Sequence, residues 1–240
     1  TGTVKEDSST LSSSSGTLTI FDPDAGEQFF VAQANTATTY GSFSINTAGE
    51  WVYNLDNNKP DIQALKEGET LTETINVYSV DGTSTNVTIT ITGTNDVPTA
   101  QAVTASGNED AASILVTLNA ADIDGTIVSY TIETLPSNGL LYSDSTLSQV
   151  ITANSTITNN TVYFVPAANW HGQTTFNYHA TDDDAADSNP VTATITVADI
   201  NDAPITNNQN VTTDEDTALQ GQIIANDVDG DTLSYSITTT

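Results

Sequence analysis

The chain of 240 residues carries a formal charge of −28, with 31 acidic side chains against three basic ones, Lys5, Lys59 and Lys66, and it holds neither cysteine nor methionine. That balance excludes ordinary nucleic-acid binding, which needs basic surface, and the lack of cysteine leaves no disulfide framework to stabilise modest domains. The absence of methionine suggests an internal piece of a longer chain, and no apolar run approaches the roughly 20 residues that span a bilayer.

Low burial with high net charge defeats folding when apolar residues are scarce or clustered, but here they make up 37% and alternate with polar ones. In chain order, strands are expected at 17–20, 29–32, 41–45 and 50–54. After Pro60 a single helical turn is expected, capped by Asp61, with Ile62 and Leu65 on one face. Strands follow at 71–80 and 86–92. In the latter Val87, Ile89 and Ile91 alternate with threonines, the period-two pattern of a strand with one buried face. The sequence then offers strands at 113–118, 127–132, 161–165, 174–180 and 191–197. The last repeats the pattern of 86–92, with Ala193, Ile195 and Val197 alternating with threonines. Short, evenly spaced strands in units of about 100 residues predict an all-β chain of tandem Greek-key β-sandwiches.

Punctuation recurs with the same period. Asp22-Pro23-Asp24, Asp122-Ile123-Asp124 and Asp227-Val228-Asp229 each follow an acidic doublet, Glu6-Asp7, Glu109-Asp110 and Glu215-Asp216. The later two also follow Asn95-Asp96-Val97-Pro98 and Asn201-Asp202-Ala203-Pro204. Proline cannot donate to a ladder, so each final strand ends there. These signals divide the chain into 1–96, 97–202 and a third unit, 203–240, too short for a sandwich. Spaced carboxylates at a fixed period mean repeated cation sites, and calcium takes six to eight oxygens. Two carboxylates of an Asp-x-Asp point apart on an extended chain, and Gly26, Gly125 and Gly230 just downstream permit the turn that brings them together.

The stretch Tyr40-Gly41-Ser42-Phe43, Gly49-Glu50-Trp51-Val52-Tyr53-Asn54-Leu55-Asp56, Gly68-Glu69-Thr70-Leu71, Asp81-Gly82-Thr83 and Ile89 to Asp96 resembles the VCBS repeat of large bacterial RTX-type adhesins. The second unit resembles a bacterial cadherin-like tandem repeat through Asn108-Glu109-Asp110, Asp122-Ile123-Asp124-Gly125, Pro166-Ala167-Ala168-Asn169-Trp170-His171-Gly172 and Asp199-Ile200-Asn201-Asp202-Ala203-Pro204, and the third unit restarts that pattern. The resemblance implies calcium-dependent immunoglobulin/cadherin-like sandwiches, with Ca2+ between successive domains, forming the extender of a secreted, cell-surface adhesin that supports biofilm formation. Carried over by motif, the first junction would use Glu6, Asp81 and Asp96 with Asp122 and Asp124. The second would use Glu109, Asp182, Asp199 and Asp202 with Asp227 and Asp229. Asp22, Asp24 and Glu27 would face a preceding domain. Gly93 stands where the second linker has Asp199, which removes one carboxylate from the first.

Plainer readings stand beside these. Asp-Gly and Asn-Asp are ordinary turn formers. His171 reads as part of a Trp-His-Gly turn, and His179 alternates with inward Phe176, Tyr178 and Ala180, so neither reads as a zinc or catalytic residue. Trp51 and Trp170 read as core anchors rather than sugar platforms. An enzyme is not expected, because no nucleophile–base pair stands out. The rivals to an extender are a module that itself binds glycan or protein, and an accessory region of a secreted hydrolase. The expected partners are neighbouring repeats of the same chain, with no nucleic acid and no membrane insertion, in a monomer whose distal target the sequence does not name.

Overall fold

The computed structural model describes residues 1–24 and 26–236; Ala25 and the last four residues of the third unit lie outside the description. Strands β1 (Gly2–Lys5), β2 (Ser13–Thr17), β3 (Gln33–Ala37), β4 (Gly41–Ile45) and β5 (Glu50–Leu55) precede the short helix α1 (Pro60–Gln63), and β6 (Thr70–Tyr78) and β7 (Ser84–Thr92) follow it. One sheet has the order β1-β7-β6 and the other β2-β5-β4-β3. Their facing sides bury Phe43, Trp51, Tyr53, Val77, Val87, Ile89 and Ile91.

The next strands are β8 (Thr99–Gln101), β9 (Val103–Asn108), β10 (Ile114–Thr117), β11 (Asn119–Ala121), β12 (Ile127–Ile132), β13 (Gly139–Tyr142), β14 (Ser155–Ile157), β15 (Thr161–Pro166), β16 (Gly172–Asp182) and β17 (Val191–Ala198). A five-stranded sheet, β14-β12-β16-β17-β9, faces a three-stranded one, β10-β15-β13, with β8 and β11 paired beside them. Phe164, Phe176, Tyr178, Ile132 and Ile195 fill the space between. Beyond Pro204 only β18 (Ile205–Thr206) and β19 (Ala225–Asn226) pair among the described residues. The fold is thus all-β, built of immunoglobulin/cadherin-like sandwiches, and among the described residues no strand of one unit pairs with a strand of the next.

The alternating segments form as expected, because every second side chain is apolar and finds the core. Two expected strands move. Strands form at 13–17 and 33–37 rather than at 17–20 and 29–32, where pairing is limited to a bridge between Phe30 and Ser79. Ser13–Thr17 has no apolar alternation, but it lies against β5 with Trp51 covering Gly16, where a Cβ would come within 2.7 Å of the indole. The helical turn also differs in its cap. Lys59 is the N-cap, with no side-chain capping bond, and Asp61 lies inside the first turn, while Ile62 and Leu65 are buried as expected.

One topological feature positions everything that follows. In each sandwich the strand that leads into the acidic doublet runs parallel to the last, β1 to β7 and β9 to β17. The acidic doublet that leaves β1 therefore emerges beside the linker that leaves β7, and likewise for β9 and β17.

Candidate metal sites at the linkers

Glu6 is buried; its backbone N–H donates to Thr92 O at 2.9 Å, and its Oε2 accepts the Thr94 N–H at 3.2 Å. Glu109 repeats the arrangement, its N–H donating to Ala198 O at 2.9 Å and its Oε1 accepting the Ile200 N–H at 2.8 Å. The next residue in each doublet turns the chain through the left-handed region, with φ 51° at Asp7, 55° at Asp110 and 59° at Asp216. Aspartate tolerates that conformation better than most residues.

At the first linker the Asp96 N–H donates to Asp124 Oδ2 at 3.2 Å, and Asn95 Nδ2 donates to Asp182 Oδ2 at 3.0 Å. Asn95 N–H also reaches Glu67 Oε2 at 3.2 Å. Gly125 allows this closeness, since a Cβ there would lie 2.5 Å from Asp122 Oδ2 and 2.6 Å from Asp183 Oδ1. Two lysines border this group, Lys66 bonding Asp183 at 3.0 Å and Lys5 bonding Glu67 at 3.3 Å. At the second linker the Asp202 N–H donates to Asp229 Oδ2, and the Asp229 N–H folds back on Asp227 Oδ1 at 3.0 Å. Local turns of this kind bring together the carboxylates of the first and third Asp-x-Asp pairs; in the first the Asp24 N–H bonds Asp22 Oδ1 at 2.8 Å.

Seven buried side-chain polar atoms among the described residues lack a hydrogen-bond partner: Asn95 Oδ1, Asp96 Oδ2, both Asp122 carboxylate oxygens, Asp124 Oδ1, Glu109 Oε2 and Asp202 Oδ2. All are oxygens, and all lie at the two linkers. Unpaired buried carboxylate oxygens are costly unless a cation answers them. Burial, reinforced by Asp96, Asp7 and Asp124, pushes Glu6 up to about 7. Burial and the neighbouring Asp7, Asp124 and Asp122 charges push Asp96 up to about 6. Asp122 is raised by burial and by Asp124, and Asp202 by burial and by Asp110, Asp229, Asp227 and Asp199. Acids crowded in this way fit a hard dication, whose first requirement is several converging oxygens.

The sequence-based ligand sets need two corrections. Asp182 stands at the first linker, bonded to Asn95, not at the second. Among the described residues Asp81 bonds only within its own turn, to Ser79 and Thr83, at the end of the sandwich where Val80 N–H donates to Phe29 O at 3.0 Å. The cause is strand direction. The hairpin that opens a final strand is one strand length from the linker that ends it, and nine residues of β7 span about 30 Å. Asp81 thus lies at the end that carries the cluster of Asp22, Asp24 and Glu27, whose ligand atoms are within 4.8 Å of one another. Glu6, Asp96, Asp122 and Asp124 lie together at the first linker, joined by Asp7, Asn95 and Glu67, of which only Glu67 falls outside the motifs quoted above.

Gly93 matches Asp199 in the hydrogen-bond register, and a side chain there has no room: a Cβ would meet Lys66 O at 2.4 Å and Leu65 O at 2.5 Å. Glu67, on the same loop, brings its carboxylate to this linker. At the second linker His171 approaches Asp199 Oδ1 to 3.3 Å and Glu109 Oε2 to 3.7 Å. His179 pairs instead with Glu133, at 2.8 Å, while Phe176, Tyr178 and Ala180 point inward as expected. Trp51 is buried, and Trp170 packs partly buried against the second core.

Two family models match parts of the chain. Residues 1–93 match the family model described as bacterial cadherin-like domain, and residues 201–240 match the one described as bacterial Ig domain. No curated protein matches the chain. Among solved structures, protocadherin gamma B2 extracellular cadherin domains 3–6 are 18% identical over 94% of this chain and 57% of that one, with a TM-score of 0.48. Protocadherin gamma B7 domains 1–4 are 15% identical over 90% and 53%, with a TM-score of 0.47. The human desmocollin-1 ectodomain is 12% identical over 85% and 39%, with a TM-score of 0.44. The chain therefore spans between 39% and 57% of these three structures. No helix among the described residues is long and apolar enough to cross a membrane.

Proposed function

We propose that this chain is a calcium-binding extender segment of a bacterial cell-surface adhesin of the RTX type, in which Ca2+ at the linkers stiffens a row of sandwiches. The observation that carries the reading is that, among the described residues, the partnerless buried oxygens are confined to the two linkers. The first site draws on Glu6, Glu67, Asn95, Asp96, Asp122, Asp124 and Asp182, and the second on Glu109, Asp199, Asp202, Asp227 and Asp229. Asp22, Asp24, Glu27 and Asp81 form one half of a site completed by a preceding unit.

A bound dication supplies positive charge where these carboxylates converge. The protein's part is to aim them: the parallel first strand delivers Glu6, the turn at Gly125 gathers Asp122 and Asp124, and the final hairpin presents Asp182. Empty of cation, their repulsion drives the linker open. Extracellular calcium modules bind in the range of about 10⁻⁴–10⁻³ M, so these sites fill outside the cell and empty within it. The chain acts as a monomeric spacer with no catalytic role, and its partners are its own neighbouring repeats, with units meeting near Asp96 and Asp202. Limited proteolysis tests this: calcium should protect the bonds at 93–98 and 199–204. Equal cleavage with calcium and with chelator would overturn the reading.

A further inference from the structure

The two linkers are not chemically alike. The first offers oxygen alone, from carboxylates and the Asn95 amide. The second brings a nitrogen, because His171 stands on the segment entering β16 as Glu67 stands on the segment entering β6. Backbone contacts fix His171 in place: Trp170 packs on the core, its N–H donates to Ala167 O at 3.1 Å, and the Asn169 N–H donates to Asp110 Oδ1 at 3.1 Å.

Glu109, His171 and Asp199 hold their ligand atoms within 4.8 Å of one another. The Glu109 side chain is only 1% exposed; its Oε1 is taken by the Ile200 N–H, and its Oε2 has no partner and lies 3.7 Å from His171 Nδ1. A buried carboxylate oxygen aimed at an imidazole nitrogen, with a second carboxylate oxygen 3.3 Å from that nitrogen, forms one triangular face of ligands. Ligands bound tetrahedrally at about 2.0–2.1 Å stand roughly 3.4 Å apart, close to both separations. Imidazole is a poor partner for calcium, which takes oxygen, and a good one for zinc and the later first-row dications.

We infer that Glu109, His171 and Asp199 form a three-ligand site for a borderline dication of the zinc type, with a fourth position left to water. This takes Glu109 and Asp199 out of the calcium set given above and leaves Asp202, Asp227 and Asp229 for calcium beside it. The inference deepens the reading of the second linker and rests on it only in treating Glu109 and Asp199 as cation ligands. Its consequence is a junction that responds to transition metal as well as to calcium.

The chain's other histidine provides an internal control. His179 sends Nδ1 to Glu133 at 2.8 Å and Nε2 towards Asp187 at 3.8 Å, so its two carboxylates lie on different ring nitrogens and cannot share one ion with it. The test is zinc binding to the whole 240-residue chain by competition with a chromophoric chelator, in millimolar calcium, alongside nitrogen-edited spectra of the imidazoles. Unsubstituted chain and His179→Ala should each take one zinc, with the shift confined to Nδ1 of His171. His171→Ala, at a side chain 55% exposed and so tolerant of truncation, should weaken zinc by more than about tenfold, the lower bound for losing even an outer-sphere partner. Zinc binding that survives His171→Ala, that is lost in His179→Ala, or that millimolar calcium abolishes would overturn the inference. A parallel calcium titration without zinc separates the two readings: no calcium uptake defeats the extender proposal and leaves the zinc result standing.

Discussion

Replacing Asp124 by asparagine changes one charge and almost no volume. Asp124 is buried; its Oδ2 accepts the Asp96 N–H at 3.2 Å, and its Oδ1 has no partner. A dication about 2.4 Å from a carboxylate oxygen gains roughly 3.5 kcal/mol even at the dielectric of water. The amide oxygen keeps a dipole towards the ion, so a loss of roughly 2 kcal/mol is expected, a weakening of about 30-fold. Without cation the sign reverses. Glu6, Asp96 and Asp122 each lose a repelling neighbour, so the cation-free chain should melt at a higher temperature than the unsubstituted one. Calorimetric titration and thermal unfolding, run with and without calcium, read both effects. Unchanged calcium affinity, or a cation-free variant that melts lower, would refute the reasoning.

Protons should substitute for calcium. Glu6 is raised to about 7 and Asp96 to about 6, so between ordinary carboxylate values and pH 7 the folded chain holds more protons than the unfolded one. Stability without cation therefore falls as pH rises through that window. The cation-free melting temperature should be higher at pH 5 than at pH 8, saturating calcium should remove the trend, and a cation-free rise with pH would contradict it. Asp144 and Asp183, each held at about 2 by hydrogen bonds, act only below this window. Asp81→Asn should leave calcium binding at the first linker unchanged, because the residue bonds only within its own turn at the far end of the sandwich; a loss there by titration would restore it to that linker. Gly93→Ala should destabilise by about 1–3 kcal/mol in denaturant unfolding, because the added methyl meets two backbone carbonyls. Tyr53→Phe should cost about 2 kcal/mol in the same assay, since the buried hydroxyl donates to the Glu73 carboxylate at 2.8 Å.

Much of this architecture is legible in the chain itself. Alternation at 86–92 and 191–197 marks two final strands, because an apolar residue at every second position has only one buried face to occupy. The recurrence of doublet, Asp-x-Asp and Asn-Asp places the cation-binding elements, although any one pair could be a turn. Strand direction is what the local pattern hides. Asp81 and Asp182 each sit on the hairpin before a final strand, and that strand must cross the sandwich before the linker begins. Counting that length would have moved both residues to the upstream end. Ser13–Thr17 is invisible for another reason: its place in the sheet is set by Trp51 lying over Gly16, a contact made across the sequence. Glu67 escapes notice, and His171 reads as a mere turn residue, because each lies in a loop whose approach to the linker depends on the following strand pairing with the last one.

Small-angle X-ray scattering from the 240-residue chain, in millimolar calcium and again after chelation, tests the central claim most directly. Calcium-stiffened linkers predict an extended, rigid particle that becomes flexible when the ion is removed. A profile that does not change on chelation would show that the clustered carboxylates do not govern the linkers, and would contradict the account.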